Sequence, residues 1–130
     1  ADHGVPASAV RTVHGDFGRA RARELAVSLL ADDVPRAVVC SNDQSALGVL
    51  DAAAARGLRV PEDLVVTGFD GIDAGRFSSP RLTTVHQPMG ALGRAAVLAI
   101  VDRLERREGP PRAVRLPVEV LLRESCPPAL

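Results

Sequence analysis

Short apolar runs alternate with longer segments of helical period, and this alternation constrains the fold more than any other feature of the chain. Residues 9–14 alternate as Ala-Val-Arg-Thr-Val-His and read as a strand closed by Gly15-Asp16. A helix is expected over 18–31, with Ala22, Leu25, Ala26 and Leu29 on one face and Arg19, Arg23 and Glu24 on the other. The apolar run 37–40 has the form of a strand buried on both faces. Ser41-Asn42-Asp43 then supplies cap chemistry for a helix over 44–56, which Gly57 stops. After a turn at Pro61-Glu62-Asp63, residues 64–69 read as another buried strand, and 70–80 as irregular. A short strand over 82–85 leads to Pro88, well placed in the first turn of a helix running to about Arg107 and broken by Gly109-Pro110-Pro111. Residues 114–122 alternate and read as a last strand, with a bend at Pro117. Strands and helices in this order predict an α/β fold, a parallel sheet flanked by helices.

The 130 residues, 46% hydrophobic, suffice for one domain with one core. Sixteen Arg and no Lys balance sixteen acids, and a net charge of zero argues against direct nucleic-acid or membrane-surface binding by this chain. No apolar run approaches the ~20 residues of a membrane span, and no basic-then-apolar leader is visible. The opening residues, without Met, read as the interior of a longer protein. Cys40 and Cys126 make no metal-type pair and are expected as free thiols in a reducing cytosol. The helix over 88–107 is unusual. Met89, Leu92, Ala96, Val97, Ile100 and Leu104 form a core stripe, yet Ala91, Ala95, Leu98 and Ala99 make the opposite side apolar too. Either its Ala-rich face tolerates solvent or a further domain or subunit covers it.

In open α/β sheets ligands bind beyond the carboxyl ends of the strands. Three predicted strands end in Gly15-Asp16-Phe17, Ser41-Asn42-Asp43 and Gly68-Phe69-Asp70. Carboxylates and a carboxamide beside one ring suit a neutral polyhydroxy or heterocyclic ligand: Asp accepts from vicinal hydroxyls, Asn donates and accepts, and the ring covers an apolar face. Simpler roles stand beside these. Asn42 or Asp43 caps a helix, Asp70 orders the turn before Gly71, or Phe17 fills the core. With three aromatics in the chain, Phe17, Phe69 and Phe77, each ring matters. Enzyme chemistry finds no support. There is no phosphate-binding glycine loop and no nucleophile elbow, and His3, His14 and His86 lack visible partners. Asp16, Asp43 and Asp70 lack metal-ligand spacing, so neither a metal nor a cofactor is expected.

Four ordered segments carry a resemblance. Residues 38–48 are similar to the "ANDxxALG" segment of LacI-type transcriptional regulators, 59–70 (RVPEDLVVTGFD) to "RVPEDxxVxGFD", 82–93 to "LTTVxQPxxxLG", and 116–125 to "LPxELxxRES". The resemblance implies a periplasmic-binding-protein-like type I fold, of which residues 1–130 would be one incomplete lobe of the effector domain, the second. A small-molecule effector, most often a sugar, would bind between the lobes and change the affinity of a separate helix-turn-helix domain for operator DNA. Ligand-binding roles fall on Phe17, Asn42 and Asp70, with Gln87 at the inter-lobe crossover. Dimer contacts fall on Leu47 and Phe77. Gly71 departs from the family, where many members have a second Asp. Residues 88–111 would cross to the first lobe. The implied protein is a cytoplasmic homodimer that is not an enzyme and reaches DNA only through a domain outside this chain. The alternative of the same fold is a periplasmic sugar-binding receptor of a transporter.

Overall fold

The computed structural model describes residues 6–106 and 113–128. They form helix α1 (Arg19–Leu29), strand β1 (Ala37–Val39), helix α2 (Asp43–Ala55), strand β2 (Val65–Asp70), a single helical turn α3 (Asp73–Arg76), strand β3 (Thr83–His86), helix α4 (Met89–Arg106) and strand β4 (Glu119–Leu121). The strands lie in the order β1-β2-β3-β4. β1 pairs parallel with β2, and β2 with β3, as the alternation predicts. β4 is antiparallel to β3, so the sheet is mixed at that edge.

Three expectations need correction. Residues 9–14 are not a strand: a 3-10 turn (Ala7–Ala9) is followed by exposed chain with no sheet partner. Alternation makes a strand only where an edge and a covered face await it, and here Val10 and Val13 stay exposed while the Arg11 guanidinium donates to the Asp33 carbonyl at 3.1 Å. The second correction is β1, which is an edge strand and not buried on both faces. Val38 is in register with buried Val66 on the helix-covered side, but Val39 on the other side is 82% exposed. The third is the stripe of α4, which is not core: Met89, Val97, Ile100 and Leu104 are exposed and Leu92 half-buried. Among the described residues no other element packs extensively on α4. The predicted end of this helix at 107 and its break at 109–111 lie outside the described residues. No described helix is long and apolar enough to cross a membrane.

The core lies on one side of the sheet. Ala46, Leu47, Val49, Leu50, Ala52 and Ala53 of α2 are buried between α1, through Ala26 and its C-cap Leu30, and the sheet side, through Leu64, Val66 and Leu82. Small residues let these layers close up. A Cβ at Gly48 would fall on the Arg19 carbonyl oxygen and lie 2.8 Å from the Arg23 nitrogen, so α1 and α2 touch backbone to backbone there. Arg19 adds a bidentate pair to Asp51 at 2.7 and 2.8 Å, and its guanidinium holds the Asp51 carboxyl below the usual range. The C-terminal segment closes the opposite end. Buried Ser125 donates to the Val66 carbonyl at 2.6 Å and accepts from the Thr83 amide at 2.8 Å.

Gly48→Ala therefore forces the two helices apart. Its expected cost is about 1–3 kcal/mol, the range for overpacking. Urea unfolding measures it, and an unchanged midpoint would contradict the backbone contact.

Candidate functional site

Parallel pairing sets the carboxyl ends of β1, β2 and β3 along one edge, and chemically capable side chains collect there. Asn42 follows β1 and is the N-cap of α2: its Oδ1 accepts from the Ser45 amide at 2.9 Å. Its Nδ2 donates to the Phe17 carbonyl at 3.0 Å. The cap is real, but it uses only one lone pair and one proton, leaving one donor and one acceptor on the carboxamide. Phe17 is brought to this edge by that bond and not by a strand end. It is not core; the ring is 66% exposed, and the backbone sits in the left-handed region at φ 66°.

Asp70 ends β2 with φ 115°, also positive, followed by Gly71 at φ 75°. Such a conformation costs a non-glycine residue on the order of 1–3 kcal/mol, and neighbouring bonds hold it. The Gln87 amide donates to the Asp70 carbonyl at 3.2 Å, and Gln87 Nε2 donates to Asp70 Oδ1 at 2.8 Å. Among the described residues no donor reaches the other carboxylate oxygen. Gly71 is required in its place: a Cβ would lie 2.5 Å from His86 Nδ1 and 2.8 Å from His86 Cα. Asp70, Gln87, His86, Met89 and Arg94 line a cleft of about 720 Å³ between this edge and the start of α4.

The structure thus makes two pairs, Asn42 with Phe17 and Asp70 with Gln87, at neighbouring strand ends. Between them lies Asp43, which has no exposed surface. Its Oδ1 accepts from the Thr84 hydroxyl at 2.5 Å and its Oδ2 from the Ile72 amide at 2.8 Å. A Cβ at Gly68 would strike Oδ1, so glycine is needed beneath it. Cys40 is a free, half-buried thiol whose pKa is pushed up to about 12 by burial and then by the charge of Asp43, which makes it a poor nucleophile. Cys126 is also free.

The remaining candidates fall elsewhere. Asp16 Oδ1 accepts from the Gly18 amide at 2.8 Å and orders the turn into α1. Leu47 is 3% exposed and belongs to the core, so its side chain offers nothing to a partner and the dimer-contact expectation for it is corrected. Phe77 is exposed, with the Arg76 guanidinium 5.9 Å from its ring centre. His14 is exposed and His3 lies outside the described residues. Sequence reasoning passed over two features: the buried network of Asp43, signalled only by the glycine at 68, and the contribution of His86 and Arg94 to the cleft.

The family model of the periplasmic binding protein-like domain matches residues 1–126. The HTH-type transcriptional repressor PurR of Pasteurella multocida is 41% identical over 97 residues, covering 75% of this chain and 29% of that protein. Among solved structures, a LacI family transcriptional regulator from Enterococcus faecium with bound ribose is similar at TM-score 0.79 and 30% identity, over 89% of this chain and 43% of that one. A LacI family regulator from Arthrobacter sp. FB24, in complex with lactose, is similar at TM-score 0.74 and 37% identity, over 83% and 41%. The chain spans less than a third of the length of the curated repressor and less than half of either solved chain.

An exposed ring on a left-handed residue is expected to add little to stability. In Phe17→Gly, relief of strain and the greater freedom of an unfolded glycine oppose each other, so stability stays within about 1 kcal/mol. Thermal unfolding of the variant checks this; a larger loss would mean that the ring packs in the fold.

Proposed function

The chain belongs to the periplasmic binding protein-like domain family, in the form that serves LacI-type transcriptional regulators as effector domain, and on that premise we propose that it senses a small neutral effector, a sugar or related metabolite. The observation that carries the reading is the row of Asn42, Asp70 and Gln87 at three parallel strand ends, with Phe17, whose ring is exposed, held to the first of them through its backbone carbonyl. Asp70 offers a charged acceptor for hydroxyls or ring N–H groups, Asn42 one donor and one acceptor, and Phe17 an apolar plate. Two solved relatives hold a sugar, ribose in one and lactose in the other, which supports that ligand class.

The role is linkage, not turnover. An effector that binds one arrangement of a two-lobe module better than another shifts their populations by its differential affinity, and by reciprocity changes the DNA affinity of a helix-turn-helix domain in the same cytoplasmic protein. The exposed apolar residues of α4 fit a helix that crosses to a first lobe, and exposed Phe77 fits a dimer contact.

A thermal-shift screen of sugars and nucleobases tests the effector reading; a ligand at 100 times its Kd adds about 2.7 kcal/mol. For the best hit, Asp70→Ala is expected to weaken binding roughly 10- to 150-fold, the value of a charge-assisted hydrogen bond. Full affinity in that variant would remove Asp70 from the site. For the 130-residue chain alone, light scattering at rising concentration is expected to show self-association through α4. A strict monomer would count against an unpartnered helix.

A further inference from the structure

The buried acid between the two pairs has no role in the reading so far. Asp43 lies in the first turn of α2, directly after the cap residue Asn42. Its two oxygens reach across to two other elements, the Thr84 hydroxyl of β3 and the Ile72 amide just past the Asp70-Gly71 turn. That turn carries two consecutive positive φ angles and is bracketed. On one side Gln87 holds the Asp70 backbone and carboxylate; on the other Asp43 holds Ile72. A buried carboxylate is strongly destabilising unless its oxygens are hydrogen-bonded, so Asp43 and its two donors form a unit with little freedom to shift. Gly68 underneath shows how tightly it is set: a Cβ there would meet Asp43 Oδ1 on one side and Leu82 at 3.1 Å on the other.

We propose that Asp43 is a positioning residue of the effector site: by holding the Ile72 amide from the start of α2, it fixes the strained Asp70-Gly71 turn and with it the aim of the Asp70 carboxylate, and it sets the distance from that carboxylate to Asn42. It touches no ligand. It couples the two halves of the site, so that the α2 cap and the β2 turn move as one body. This rests on the reading that Asp70 meets the effector, but the coupling itself is a property of the ligand-free chain and is tested there.

The experiment compares Asp43→Ala, Asp43→Asn and a destabilised control, Val49→Ala, by amide hydrogen exchange and by the 13C resonance of the Asp70 carboxyl in the 130-residue chain. Asp43→Ala is expected to speed exchange of the Ile72 amide about tenfold or more relative to the Val66 amide of the same sample, and to move the Asp70 resonance. Asp43→Asn keeps an oxygen for Ile72 and can donate to the Thr84 hydroxyl oxygen, so it restores most of both signals. Val49→Ala, which loses core packing far from the turn, moves neither. Should Asp43→Ala not fold, Gly68→Ala replaces it, because its methyl would overlap Oδ1 and crowd the Asp43 Cα at 3.2 Å, so that the whole carboxylate, Oδ2 included, must shift. The proposal is overturned if Ile72 keeps its protection when Asp43 is removed or displaced, or if the control moves the Asp70 resonance equally. No effector enters these measurements, so their failure is distinct from a failure of the sugar-sensing reading.

Discussion

Parallel pairing of three consecutive strands is the constraint from which the rest follows. Because β1, β2 and β3 run the same way, each must return by a crossover, and all three carboxyl ends open on one edge. The register then fixes the spacing. Asp70 stands opposite His86, one residue before Gln87, so the bond from Gln87 to the Asp70 carboxylate needs no adjustment of the strands. The Cys40 amide donates to the Thr67 carbonyl at 2.9 Å, which extends the β1 pairing to within two residues of Asn42. The site is therefore a consequence of strand direction, and its side chains are those that follow the last paired residues.

Among the described residues, one face of this sheet is without cover. Parallel sheets normally carry helices on both faces. Here α2, backed by α1, covers one, while Val39 and Val120 on the other are exposed along with the apolar residues of α4. Burying a Val or Leu side chain of this kind is worth roughly 1.5–3 kcal/mol. The bare strand face and the bare helix are thus strong attractive surfaces, and they accord with a chain that matches less than half the length of its solved relatives.

Much of this was legible in the residues. The helices α1 and α2 stand within one or two positions of their predicted spans, because alanine and leucine at helical spacing and the breaks at Gly15-Asp16 and Gly57 are local signals. Asn42 as cap and Asp70 at a strand end were equally local, whereas Gln87 came only with the family resemblance, as a residue of the inter-lobe crossover. The failures were of another kind. Residues 9–14 alternate like a strand, the run 37–40 reads as doubly buried, and α4 shows a core stripe, but each of those readings assumes a partner surface. A sequence records that a residue is fit for burial and not whether anything lies against it. Asp43 failed in the opposite sense. An acid next to a helix cap resembles ordinary capping chemistry, and its burial depends on Thr84 and Ile72, both about thirty to forty residues away.

Backbone strain offers an independent reason to place function at this edge. Four described residues have positive φ. Two are glycines, which adopt that region without penalty. The other two are Phe17 and Asp70, one from each pair at the strand ends. Glycine would adopt this backbone without steric strain at either position. At Phe17 the ring is largely exposed, so packing within the chain does not explain its presence. At Asp70 the side chain is held by Gln87, but a hydrogen bond worth about 1 kcal/mol barely offsets the strain. Side chains retained against the local preference of the backbone, one from each pair at the strand ends, accord with the proposed effector site, in which the conformational cost would be met in the fold before a ligand arrives.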